Sequence, residues 1–278
     1  MAQQRVAVVT GASSGIGAAV AARLAAAGFR VFGASRRAPA DAGGGIEHVT
    51  IDVDDDSSVR GGVADVLRDT GRIDVLVNNA GYLCAGAVEE ISIADAKAQF
   101  ETNYFGVLRM SCAVLPGMRE RRRGHIITVS SLAGLVPVPY WGQYNASKFA
   151  VEGLMETLRH EVRPFGIQVA MVEPGNIKTP FYARPQAAGM DVYARSRGRV
   201  FAAMAEYERK APGPDVVAGK VVAIADNDRP ALRNKVTKEA TRFTLLRRVL
   251  PPGAFENGVR RAFKVEAKGE ARARGSAA

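Results

Sequence analysis

Short β-branched apolar runs alternate along the chain with longer stretches whose apolar positions recur every three or four residues. The short runs fall at Arg5–Thr10, Arg30–Ser35, His48–Val53, Ile73–Val77, Gly124–Val129 and Val169–Val172, and near-continuous apolar character marks each as a strand buried on both faces. Helices are predicted between them: the alanine-rich Ala18–Ala27 closed by Gly28, Asp54–Thr70, Ala94–Pro116, and Ser147–Pro164 with Phe149, Val151, Leu154, Met155 and Leu158 at helical spacing. Leu232–Val236 reads as a seventh strand, Ala240–Leu250 as a helix broken by Pro251-Pro252, and Phe255–Val265 as a further short helix. Strands alternating with helices predict an α/β fold with a doubly wound parallel sheet and helices on both faces. Residues 1–266 are expected to form one domain with a helical C-terminal extension, and residues 267–278 a disordered tail.

Composition narrows the picture. With 47% hydrophobic residues among 278, the chain can bury a sizeable core. No apolar run approaches the roughly 18 residues of a membrane span, so none is expected. The start enters a strand almost at once, which leaves no room for a signal peptide. Cys84 and Cys112 have neither metal-ligand spacing nor a cysteine neighbour and read as reduced thiols, so a cytoplasmic protein without a metal is expected. Of the ten net positive charges, eight lie between Arg233 and Ala278, where twelve Lys/Arg face four Asp/Glu. Such a segment suits a solvated helix face or peripheral contact with an anionic membrane. No nucleic-acid motif accompanies it, so nucleic acid is not expected.

The candidate chemistry clusters where the predicted strands end, the edge at which open α/β sheets bind ligands. Thr10-Gly-Ala-Ser-Ser-Gly-Ile-Gly17 is a glycine turn between a strand and a helix, suited to holding a pyrophosphate on backbone N–H groups. The second strand ends at Ser35, where an acid would bind an NAD ribose, and is followed by Arg36 and Arg37, a pair suited to a 2′-phosphate. Asp52 stands at the tip of the third strand, Asn78-Asn79-Ala80-Gly81 follow the fourth, and Ser130-Ser131 follow the fifth. Asn103 lies inside a predicted helix, where asparagine hints at a kink or a bound water. Tyr144 and Lys148, four residues apart, leave one helix face together, and a nearby cation is expected to draw the phenol's pKa toward neutrality.

These motifs, in this order and spacing, resemble the classical short-chain dehydrogenases/reductases across roughly residues 4–180, with Ser131 standing 13 residues before Tyr144. The resemblance implies a Rossmann-type single domain that interconverts a carbonyl and an alcohol by hydride transfer, with Tyr144 as general acid/base. Ser131 would bond the substrate oxygen, Lys148 would lower the tyrosine's pKa and bind the nicotinamide ribose, and Asn103 would hold a relay water. Gly11, Ser13, Ser14, Gly15, Ile16 and Gly17 would hold the pyrophosphate. Asp52 and Val53 would border the adenine, and Asn79, Ala80 and Gly81 the adenosine ribose. Pro174, Gly175, Ile177 and Thr179 would hold the carboxamide end. Arg36 is similar to the basic residue of NADP-preferring members, although Ser14 stands where that subgroup often has Arg or Lys, so the expectation of NADP(H) rests on Arg36 and Arg37.

Residues 180–212 are similar to the family's substrate lid, and residues 232–266 to the cap of its steroid- and retinol-dehydrogenase-like subgroup. Phe181, with Tyr140 and Trp141 just before the catalytic tyrosine, is expected at the substrate. The many aromatic and methionine side chains after Pro180 suggest a lipophilic ketone, aldehyde or alcohol. Members commonly form dimers or tetramers, so a homo-oligomer is expected. The alternatives are an NAD-dependent dehydrogenase, or a non-catalytic module on the same fold that senses NADP(H) or binds nucleic acid or a membrane.

Overall fold

The computed structural model describes residues 4–37, 45–179, 183–184 and 189–266; expectations for Phe181 and for the tail 267–278 fall outside them. Seven strands make up the main sheet, in chain order β1 (Val6–Thr10), β2 (Arg30–Ser35), β3 (Ile46–Thr50), β4 (Val75–Asn78), β6 (Gly124–Val129), β7 (Ile167–Glu173) and β9 (Arg233–Lys235). They form one parallel sheet ordered β3-β2-β1-β4-β6-β7-β9. A separate two-residue pairing joins β5 (Leu83–Cys84) to β8 (Ala183–Arg184).

The alternation of strand side chains builds two hydrophobic layers. Val6 and Val8 of β1 face a layer filled by α2 (Asp56–Thr70), α4 (Gly106–Glu120) and α5 (Gly142–Val162) through Val63, Met110, Val151 and Met155. Ala7 and Val9 face the opposite layer, where α1 (Gly15–Ala26) and α7 (Asp215–Ala225) contribute Val20, Leu24, Val217 and Val221. The doubly wound expectation holds, and the strand order reverses between β1 and β4, which opens a crevice at the C-terminal edge. A third cluster lies above that edge, where Tyr144 and Val138 meet Val200 of α6 (Asp191–Lys210) and Phe263, which follows α9 (Pro252–Ala262).

Several boundaries differ from expectation for local reasons. β3 stops at Thr50 because the Asp52 carboxylate accepts from the Asp54 N–H at 3.2 Å and turns the chain. Asp55 then caps α2 by accepting from the Ser58 N–H at 2.6 Å. The single helix expected over Ala94–Pro116 is α3 (Ile93–Phe100), a π turn at Glu101–Phe105, and α4, which continues past Pro116 to Glu120. α7 is absent from the expected elements, although Val217, Val221 and Ile224 have helical spacing. α8 (Lys238–Val249) begins two residues before the expected helix because Thr237 caps it. Among the described residues no helix is long and apolar enough to cross a membrane.

Met155 is fully buried and anchors α5 to the sheet. Met155→Ala is expected to lower unfolding free energy by about 2–5 kcal/mol, measured by urea denaturation.

Candidate active site

A cleft of about 1120 Å³ runs along the C-terminal edge of the sheet, from Arg36 and Asp52 at one end to Ser131, Tyr144 and α6 at the other. Its floor comes from the segments after β1, β2, β4, β6 and β7, so chemistry far apart in sequence converges. Most site residues expected from the sequence line it. Gly17, Asn103 and Tyr140 do not, and their positions are described below.

The glycine turn and the loop after β4 are zipped together. The Thr10 hydroxyl accepts from the Asn79 and Ala80 N–H groups at 2.9 and 3.0 Å, while Asn79 Nδ2 donates to the Thr10 and Gly11 carbonyls. Gly11 adopts φ +65°, and a Cβ there would crowd the Ala80 backbone. A Cβ on Gly17 would overlap the Gly11 carbonyl oxygen, so this buried glycine shapes the turn from beneath. Ser14 makes no side-chain cap, and the first turn of α1 carries no acid. Backbone N–H groups at that helix start are thus left for an anion from the cleft, and the turn fits a pyrophosphate. No cluster of His, Cys, Asp and Glu suited to a metal occurs among the described residues.

Arg36 and Arg37 line the far end of the cleft with Asp52, Val53 and Asp54. Burial raises the Asp54 pKa, opposed chiefly by the bond it accepts from the Thr102 hydroxyl at 2.9 Å and more weakly by Arg36. Thr102 and Asp54 are lining residues the sequence reading missed, because their meeting depends on the π turn.

At the other end α5 carries Tyr144 and Lys148 into the crevice, both buried. The Tyr144 phenol bonds the Ser131 hydroxyl, which also accepts from the Ala133 N–H at 3.1 Å and so has a fixed orientation. The ammonium of Lys148 is held by the backbone at the end of β6. It donates to the Val129 carbonyl at 3.0 Å and lies 5.8 Å from the centre of the Tyr144 ring. The expected electrostatic pull on the phenol is therefore corrected. Burial pushes Tyr144 up to about 12 against the Ser131 bond, and burial brings Lys148 down to about 8 against the attraction of Glu152.

Asn103 is fully buried in the π turn. Its Oδ1 accepts from the Tyr82 N–H at 3.0 Å, and its Nδ2 donates to the Tyr82 carbonyl and the Ser147 hydroxyl. The side chain therefore ties the loop after β4 to α5 instead of reaching the cleft. Tyr140, expected at the substrate, sits at φ +64° with its ring against Tyr193 and Phe201 and its hydroxyl 2.6 Å from Ser196. It holds α6 in place, and Trp141 takes the lining position, edge-on to Tyr144.

Phe201 and Met204 of α6 extend the cleft with an apolar wall. Phe263, from the far end of the chain, completes it, and Glu208 adds a charge to that wall. α6 is tied to the C-terminal segment where Arg199 donates to the Val265 carbonyl and Tyr207 to the Ala262 carbonyl.

Comparison with known proteins accords with this arrangement. The family described as short chain dehydrogenase matches residues 5–188. The chain is 39% identical over 238 residues to the 3-ketodihydrosphingosine reductase of Bacteroides thetaiotaomicron, covering 84% of this chain and 88% of the relative. It is 32% identical over 280 residues to retinol dehydrogenase 8 of Homo sapiens, covering 90% and 87%. Among solved structures, a short-chain dehydrogenase from Streptomyces avermitilis superposes with a TM-score of 0.79 at 32% identity, over 97% of this chain and all of that one. An enzyme of the same kind from Burkholderia phymatum in complex with NAD gives 0.75 at 27% identity, covering 88% and 93%. A metagenomic short-chain oxidoreductase in complex with NADP gives 0.66 at 31%, covering 84% and 97%.

Gly17→Ala is expected to weaken nucleotide binding at least about tenfold while circular dichroism remains that of the folded protein, because the added methyl displaces the turn without touching either core layer.

Proposed function

Because the chain belongs to the short chain dehydrogenase family, we propose that it is an NADP(H)-dependent oxidoreductase interconverting a lipophilic ketone or aldehyde and its alcohol. The observation that carries this reading is the meeting of Ser131, Tyr144 and Lys148 between an anion-fitting turn and an apolar wall, all on one cleft. Membership gives the oxidoreductase class and a nicotinamide nucleotide, NAD or NADP. The choice of NADP is supported by Arg36 and Arg37 lining the ribose end, where a 2′-phosphate would meet two guanidinium groups. Lipophilic character is supported by Trp141, Phe201, Met204 and Phe263, and by relatives named for a ketosphingoid and for retinol.

The bound nucleotide supplies or accepts the hydride. Gly11, Ser13, Gly15 and Ile16 would hold its pyrophosphate, Asp52 and Val53 its adenine, and Pro174, Gly175, Ile177 and Thr179 its carboxamide end, all of which line the cleft. Lys148 would bond the nicotinamide ribose. Tyr144 stays protonated across the neutral range because burial raises it to about 12, so in the reductive direction it gives its phenolic proton to the carbonyl oxygen. The Ser131 hydroxyl, oriented by the Ala133 N–H, bonds the same oxygen as charge develops on it. Trp141 and Phe201 exclude water from the reacting carbonyl.

Fluorescence titration is expected to show NADPH bound at least about tenfold more tightly than NADH, with the preference lost in Arg36→Ala. Equal binding by the unaltered protein would remove the cofactor assignment. Tyr144→Phe is expected to reduce kcat for ketone reduction by about 10²–10⁴-fold while NADPH affinity changes little. Full activity in that variant would remove Tyr144 from its role.

A further inference from the structure

Behind Lys148, on the side away from the cleft, lie two buried carboxylates that the proposed reaction does not use. Glu152, one helical turn beyond Lys148 on α5, is 4% exposed, and Glu173, the last residue of β7, is fully buried. No hydrogen bond of good geometry reaches their four carboxylate oxygens among the described residues, although the Ser130 hydroxyl stands close enough to Glu152 to favour its charged form. One guanidinium serves both: Arg233 of β9 places Nη2 3.1 Å from Glu152 and Nε 3.5 Å from Glu173, and it also faces Glu156 at 3.3 Å. The other groups facing the pair are Lys148 and the Ser130 hydroxyl, which draw Glu152 down, Glu156, which pushes it up, and Lys235, which draws Glu173 down. Neither carboxylate lines the cleft, whereas their neighbours Ser130, Lys148 and Pro174 do. The pair therefore acts on the site only through what it touches.

We propose that Glu152 and Glu173, clamped by Arg233, are positioning residues that share one proton and, as a unit, hold the Lys148 ammonium charged from behind. Two buried carboxylates against one guanidinium cannot both ionise cheaply, so one keeps its proton at neutral pH. Burial and the neighbouring Glu152 carry Glu173 up to about 8, and burial also raises Glu152. Lys148 is brought down to about the same value. As pH rises through that range, the pair releases its shared proton and gains a second negative charge. That charge appears just where burial would strip Lys148 of its own proton, so the ammonium survives further into alkaline solution. A coupled set of this kind titrates as a unit.

The proposal rests on Lys148 belonging to the active site, and its test has a readout independent of turnover. The Cε resonance of Lys148 in protein labelled with 13C-lysine, assigned with Lys148→Arg, is followed against pH in the unaltered protein, Glu152→Gln and Glu173→Gln. The midpoint is expected to fall by about one pH unit in each variant. The alkaline limb of kcat for ketone reduction should move down with it, and Glu152→Asp, which keeps the charge, should bring both back toward the original. An infrared band of a protonated carboxyl is expected in the unaltered protein, lost above about pH 8 and absent in Glu173→Gln. A purely packing role lowers the whole kinetic profile without moving its limb. Unchanged midpoints in folded Gln variants, or no protonated-carboxyl band, would overturn the proposal, and either variant alone decides it if the other does not fold. If no carbonyl compound is turned over, the resonance and the band still judge the pair, so failure of the functional reading is told apart from failure of this one.

Discussion

An ammonium group buried at the top of a hydrophobic sheet is the constraint around which the site is arranged. Charge removed from water is costly unless it is bonded and balanced. Lys148 meets that demand with the Val129 carbonyl at the end of β6 and with Glu152 one turn along its own helix. This fixes the rotation and height of α5 over the strand. Tyr144 occupies the same face one turn earlier, so its phenol is delivered to Ser131 by the same anchor. Val151 and Met155 hold the helix from below in the core layer. The reacting end of the cleft is thus set by one charge and two apolar contacts along a single helix.

The nucleotide end is built on a different principle. Its parts are backbone groups brought close by missing side chains, and they are joined by Thr10 and Asn79 instead of by packing. Because the strand order reverses between β1 and β4, the two loops that make this seam emerge side by side. One half of the cleft is therefore made by topology and the other by burial of charge.

The strands were readable because parallel strands buried on both faces are nearly continuous apolar runs, and β2 and β6 begin and end where the sequence places them. Helical spacing placed Tyr144 and Lys148 on one face, and the motifs around them gave the pair its meaning. What spacing could not carry was the effect of burial: a cation at i+4 suggests a depressed phenol, yet the ammonium turns to a carbonyl and desolvation dominates. Tyr140 was misplaced because a positive φ just before α5 swings its ring toward α6, a local choice invisible in a pattern of apolar residues. Phe263 escaped notice because it reaches the cleft from a segment far along the chain. Glu173 lies one residue past the expected strand Val169–Val172, and nothing in a sequence tells that a carboxylate at a strand end is sealed from water.

The π turn at Glu101–Phe105 carries a further consequence. It adds one residue to a helical turn, so α3 and α4 are out of phase although their axes run on. No single helical wheel describes residues 93–120, and an apolar stripe traced along one half slips off the other. The extra residue is also what lets Asn103 face Tyr82 while α4 still turns Met110 and Val114 to the core. Length is therefore a fixed quantity in this stretch. Removing one residue would restore an unbroken helix of better geometry and rotate either the asparagine or the core side chains by about 100°, so regularity here would come at the expense of alignment.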